Sequence, residues 1–183
     1  MTRFLWVSGL LIVFLAALGE TPRSLLAWDR AALAEGEWWR LVSGHLLHLD
    51  GYHATFNLLA AALIAGVFAR VFRLWQIGVI FLAAVAAIDA GLWWLSEVDG
   101  YVGLSGVLHA YVAAALVRLI IDRGGPVEWI LGILGLVKIV WENAVGAMPF
   151  SLPTMVVVTD AHLYGVLAGL LAGLLLRRVN ADA

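Results

Sequence analysis

Cysteine is absent from this chain of 183 residues. That removes disulfide staples, a thiolate nucleophile and any cysteine metal site, and it carries no information about compartment. Charge is scarce as well: Asp, Glu, Lys and Arg make up 13% of the residues, against about 25% in a soluble domain. No basic block is long enough to grip nucleic acid. The formal net charge of −2 says little; where the arginines sit says more. What the chain has in their place is apolar surface, 63% of all residues, with a mean hydropathy of +0.97. An excess spread over the whole length points to an integral membrane protein. The length accommodates one all-α domain over 1–183 and leaves no room for a second.

A spanning helix needs about 20 mostly apolar residues. Six runs qualify: Phe4–Leu18, Tyr52–Ala69, Leu74–Leu95, Leu104–Ile121, Val127–Val145 and Met155–Leu176. Helices are the only option, because open strands leave backbone groups unpaired in lipid. The first run also reads as a secretory signal, with Arg3 before it and Ala16-Ala17-Leu18-Gly19 at its end. The five runs that follow make a first transmembrane helix at least as natural. Arg3, Arg70, Arg73, Arg118, Arg123, Arg177 and Arg178 then all fall on one side of a six-span serpentine. That side is cytoplasmic, together with both termini. The outer side holds Glu97 and Asp99, and no Lys or Arg between Glu142 and Asp160. A first outer loop over about 19–51 mixes Arg23, Arg30 and Arg40 with five acids, so it is expected to be structured.

Three polar signals interrupt the apolar background. Gly103-Leu104-Ser105-Gly106 opens the fourth run, Ala161-His162-Leu163-Tyr164-Gly165 lies near the start of the sixth, and His53 and Asn57 share one face of the second. Singly, a glycine-flanked serine is more often a packing site, and an i, i+4 His/Asn pair can simply bond a neighbouring helix. An intramembrane histidine has better odds of a function. Topology makes the three convergent. The second, fourth and sixth runs all pass from outside to inside, so His53, Asn57, Ser105 and His162 reach one layer near the outer face. These residue types suit acyl transfer: a neutral imidazole activates a serine hydroxyl. The Asn57 amide, the His53 ring N–H and the Ser105 backbone N–H can face an oxyanion, with the positive end of the fourth helix behind them. Gly165, Gly169 and Gly173 with Ala161 form a small-residue stripe, answered by Gly106, Ala110 and Ala113.

In order and in these runs, Glu37-Trp38-Trp39-Arg40, His53-x3-Asn57, Gly103-x-Ser105-Gly106 and Ala161-His162-x2-Gly165-x3-Gly169 resemble the rhomboid intramembrane serine proteases. The likeness covers nearly the whole chain. It implies a six-helix bundle and a catalytic Ser105/His162 dyad with no acidic third member. It also implies an oxyanion site at His53 and Asn57 and a membrane-embedded first loop stabilised around Trp39 and Arg40. Gly36-Glu37-Trp38-Trp39-Arg40, Ser43-Gly44-His45 and Gly103 to His109 are similar to the rhombosortase subfamily in particular. That implies a bacterial inner-membrane enzyme whose site opens to the periplasm. Its partners are membrane-anchored proteins with a C-terminal Gly-Gly motif, hydrophobic helix and basic tail, cleaved with hydrolysis or transfer to a lipid-derived amine. The alternatives are a conventional rhomboid protease with other substrates and a non-catalytic rhomboid-like protein that binds membrane clients. One departure is His109, where many rhomboids carry a tyrosine one turn after the serine. Either His109 supports His162 and is oriented by Asp89, or Asp89 and His109 merely satisfy each other.

Other signals have plainer readings. His45, His48, Asp50 and His53 cluster in sequence, yet no H-E-x-x-H motif is present, and no metal or other cofactor is expected. Trp6, Trp28, Trp75, Trp93 and Trp94 suit interfacial belts. Lys138 and Glu142, one turn apart, either pair with each other or line a gate beneath the loop Ala144–Thr159, which would cap the site as a lid.

Overall fold

The computed structural model describes residues 20–148 and 157–176. The run Phe4–Leu18, half of the proposed lid (149–156), and the cationic Arg3, Arg177 and Arg178 lie outside the described residues. In chain order the elements are α1 (Glu20–Leu26), β1 (Trp28–Asp29), α2 (Arg30–Ala34), α3 (Arg40–Ser43), a 3-10 turn (Gly44–Leu46), α4 (Gly51–Phe68), α5 (Leu74–Leu95), β2 (Gly100–Tyr101), α6 (Ser105–Asp122), α7 (Pro126–Ala144) and α8 (Thr159–Leu175).

The long helices begin and end where local chemistry says they should. Asp50 caps α4, its carboxylate accepting from the His53 N–H at 2.7 Å. Pro126 opens α7 at a position where its missing N–H costs nothing. α5 matches its expected span, and the ends of α4, α6 and α7 fall within a residue of theirs. α8 begins at Thr159, four residues later than the apolar run alone implies. By length and composition α4, α5 and α6 can each cross a membrane. α7 carries Glu128, Lys138 and Glu142, and α8 is apolar but only 17 residues long.

α6 is the central helix, touching α4, α5, α7 and α8, and its contact with α8 is the most extensive among the described residues. Small residues make that contact possible. A Cβ on Gly165 would overlap the Gly106 carbonyl, and one on Gly169 would overlap the Ala110 carbonyl. On Gly173 it would stand 2.6 Å from the Ala114 carbonyl oxygen, and on Gly106 it would stand 2.7 Å from that of Ala161. Without a hydrophobic drive between helices in lipid, backbone proximity of this kind is a main source of association. Ile80, Ala84, Ile88 and Leu92 of α5 close the core behind α6.

The first outer loop is folded, as its mixed charge implies. β1 pairs antiparallel with β2, Trp28 opposite Tyr101 and Asp29 opposite Gly100. Arg30 lies under the C-terminal end of α5 and donates to the carbonyls of Leu92, Trp93, Ser96 and Val98 at 2.7–2.9 Å. The carbonyls of Leu92, Trp93 and Ser96 belong to the helix end, where such groups lack partners, and that of Val98 lies in the loop beyond. Trp28 is fully buried, edge-on to Trp93 at 6.4 Å. It is therefore a core residue and not part of an interfacial belt, because the β1–β2 pairing turns it inward. Trp75 and Trp94 are exposed, as a belt requires.

Two kinds of glycine follow from this packing. Gly169→Leu overpacks the α6–α8 contact and is expected to cost about 3 kcal/mol, the upper end of such effects. Gly165→Leu does the same and also moves Ser105 away from His162. Gly135 has nothing within 4 Å of where its Cβ would be, so Gly135→Ala should be neutral or stabilising by up to about 1 kcal/mol. Thermal unfolding of the three variants in one detergent separates the two kinds.

Candidate active site

Ser105 is positioned by backbone. The β1–β2 ribbon brings the segment before α6 against the first loop, and the Gly103 N–H donates to the Gly44 carbonyl at 3.1 Å. Gly44 itself is tight against Trp28, where a Cβ would stand 2.7 Å from the Trp28 nitrogen. The Tyr101 hydroxyl donates to the Gly103 carbonyl at 2.5 Å. Burial pushes that phenol above its ordinary range, so it stays a donor. Gly103 has φ +138°, and a side chain there would press on the His53 ring at 3.0 Å. Ser105 is then the first residue of α6, and its N–H is one of the four that a helix start leaves free.

His162 lies on the α8 face that carries Gly165, Gly169 and Gly173, and it is buried. Its Nε2 is 2.9 Å from Ser105 Oγ. Its Nδ1 is 2.9 Å from Glu142 Oε2, and Glu142 is equally buried. The other carboxylate oxygen accepts from Lys138 Nζ at 2.6 Å. The family likeness implied a pair with no acidic neighbour; here a carboxylate stands directly behind the histidine. Lys138 and Glu142 do pair, one of the two readings their spacing left open.

His109 stacks on His162, with centroids 4.1 Å apart and planes 21° from parallel. Its Nδ1 faces the Ser105 carbonyl at 2.7 Å, and its Nε2 faces Lys138 Nζ at 2.9 Å. Asp89 does not orient it and does not pair with it. The Asp89 carboxylate meets His45 Nε2 at 3.1 Å, because its face of α5 turns toward the first loop and not toward His109 on α6. Asp89 thus braces the loop that carries Gly44, one step removed from the serine.

Of the two expected oxyanion residues, both on α4, His53 is the one whose ring reaches the serine's surroundings. Gly103 has the His53 ring beside it, next to Ser105. The Leu49 N–H donates to His53 Nδ1 at 3.4 Å, which assigns the ring proton to Nε2, the atom facing Gly103. Asn57 is buried, and its amide donates one N–H to the His53 carbonyl at 3.0 Å. An amide nitrogen has two N–H groups, and the second remains for a ligand. Arg40 is buried and braces the first loop, donating to Glu37 Oε2 at 2.6 Å and to the carbonyls of Ala27 and Ser24. Trp39 is half exposed and donates to the Leu25 carbonyl at 3.1 Å.

Metal-ligating groups converge in one place among the described residues. His109, Glu142 and His162 each offer a donor atom, all within 4.8 Å of one another. Lys138 Nζ already bridges His109 and Glu142 there, so an ammonium supplies the positive charge a cation would bring. The four-residue cluster of His45, His48, Asp50 and His53 does not converge. His45 is held by Asp89, and Asp50 caps α4.

A family model described as Rhomboid domain matches residues 35–179, most of the chain. No curated protein matches it.

His48 sits between the first loop and α4 with both ring nitrogens buried and unpartnered. Burial lowers its pKa to about 4, and the neighbouring His53 ring adds to that. The unfolded chain takes up the proton near 6.5 while the folded protein refuses it. Stability is therefore expected to fall as pH drops below 6.5 and to level off near pH 4, by on the order of 3 kcal/mol. His48→Leu should flatten that slope in unfolding measured across this range.

Proposed function

The chain belongs to the rhomboid family, and on that premise we propose that it is an intramembrane serine endopeptidase with Ser105 as nucleophile and His162 as base. The observation that carries this reading is the 2.9 Å approach of Ser105 Oγ to His162 Nε2 at the start of α6. His162 takes the hydroxyl proton as Oγ attacks the scissile carbonyl. The resulting oxyanion faces the Ser105 N–H, the His53 Nε2–H and the free Asn57 N–H, with the positive end of α6 behind it. Collapse breaks the C–N bond, and His162 returns the proton to the departing amine. The acyl-enzyme is then resolved by water, or by a lipid-derived amine in a transfer reaction.

In this reading the chain forms one domain of six spans in a bacterial inner membrane. The arginines keep both termini in the cytoplasm, and the site opens to the periplasm. The rhombosortase-like stretches from Gly36 to His45 and Gly103 to His109 favour substrates with a C-terminal Gly-Gly, a hydrophobic helix and a basic tail. Glycines suit this chemistry, because a segment must leave helical structure to reach a serine, and glycine does so readily.

A reporter carrying that signal, expressed with the protease in membranes, tests the reading. Cleavage by the wild type is expected to vanish in Ser105→Ala and in His162→Ala. Asn57→Ala should lose about 10²–10³ in rate. Persistent cleavage in Ser105→Ala would assign the activity to another enzyme. A silent wild type that still reacts at Ser105 with a fluorophosphonate would sink the Gly-Gly substrate alone.

A further inference from the structure

A buried carboxylate behind the base is not required by a serine–histidine pair, and its surroundings suggest why it is there. Glu142 and His162 are each about 5% exposed or less. An imidazole nitrogen facing a carboxylate at 2.9 Å must carry the hydrogen, since an ionised carboxylate only accepts. That places the His162 proton on Nδ1 and leaves the Nε2 lone pair toward Ser105 Oγ, the one tautomer that can take the serine proton. Lys138 keeps Glu142 ionised by donating to its other oxygen at 2.6 Å. The pair adds no net charge to the membrane interior, where an isolated acid is costly.

His109 is fixed by the same lysine. Its Nε2 must accept from the ammonium, so its Nδ1–H donates to the Ser105 carbonyl. A neutral ring stacked on His162 restrains that imidazole from rotating.

We infer that Glu142, held by Lys138, is the positioning acid of a Lys138–Glu142–His162–Ser105 relay that sets the tautomer and orientation of the base. The inference rests on the protease reading above and deepens it. In the relay the proton moves from Ser105 Oγ to His162 Nε2, and Glu142 remains ionised beside the imidazolium throughout. The other polar groups nearest His162 are Ser105 on α6, the His109 ring, the His53 ring on α4 and Asp160 on its own helix. None of the four places a carboxylate on Nδ1, so Glu142 has no substitute.

The lysine gives the inference a test that a structural role would not satisfy. In Glu142→Gln the amide carbonyl is drawn to Lys138, and the NH₂ then faces His162 Nδ1. The ring proton is forced to Nε2, and proton transfer from Ser105 is blocked. The corresponding acid-to-amide change in a soluble serine triad costs about 10⁴ in kcat. Removing the ammonium lets the introduced amide turn its carbonyl toward His162, so Lys138→Met should rescue Glu142→Gln.

The experiment measures the rate at which a fluorophosphonate probe labels the full chain in detergent. Labelling should require Ser105, fall at least about 10²-fold in Glu142→Gln, and recover at least about tenfold in Lys138→Met/Glu142→Gln. Glu142→Gln labelling at the wild-type rate, or a double variant slower than the single one, overturns the inference and leaves the protease reading intact. A wild type that does not label at Ser105 overturns both. Ring ¹⁵N signals of the wild type, with His162 assigned by their loss in His162→Ala, should show a protonated Nδ1 and a bare Nε2. The opposite tautomer overturns the inference without recourse to any Glu142 variant.

Discussion

The close passage of α8 across α6 is the constraint on which the site depends. Three glycines of α8 rest on three successive turns of α6, and Ser105 and His162 lie at the N-terminal end of that contact. A hydrogen bond tolerates a few tenths of an ångström of misplacement, and a side chain in the seam would impose far more. The seam and the chemistry are thus one geometric fact. In lipid this is economical, since dispersion between close backbones replaces the hydrophobic drive that soluble bundles use.

Around that seam most of the buried charged groups among the described residues have partners. Lys138 meets Glu142, His45 meets Asp89, and Arg40 meets Glu37 and two carbonyls. Arg30 fills the carbonyls at the end of α5. The cost of burying charge in a weakly polar medium makes such pairing obligatory. It also makes the polar layer rigid, because a side chain with two or three fixed bonds has little freedom left. Among the described residues His48 is buried with no partner for either nitrogen, and Trp28 Nε1 and His45 Nδ1 are likewise unpartnered.

Much of this was legible in the sequence, and the reasons for success and failure are physical. α5 and the limits of α4, α6 and α7 follow from apolar runs bounded by Gly, Pro, Asp and Arg. The approach of His53, Ser105 and His162 agrees with a reading that places the starts of these helices in one layer. Helix rotation is what the sequence leaves open. Asp89 lies on an apolar helix where either face is plausible, and only the three-dimensional packing turns it to His45 and away from His109. Trp28 reads as an interfacial tryptophan until strand pairing buries it. Glu142 was visible as an acid near the outer end of the fifth run, in the same layer as the serine. Its i, i+4 spacing to Lys138 offered a sufficient explanation and concealed the second partner. The layer argument, applied to acids as well as to serine and histidine, would have found it.

The pairing of β1 with β2 has a consequence in time. The contacts that set the backbone before Ser105 come from residues already synthesised when that serine emerges: Trp28, Gly44, Tyr101 and Gly103. The base follows 57 residues later on α8, and the groups behind it arrive with α7 just before. A chain halted between the two holds the β1–β2 pairing and a serine without its histidine partner. On the protease reading, the serine gains its base only with α8, the last described helix to be synthesised.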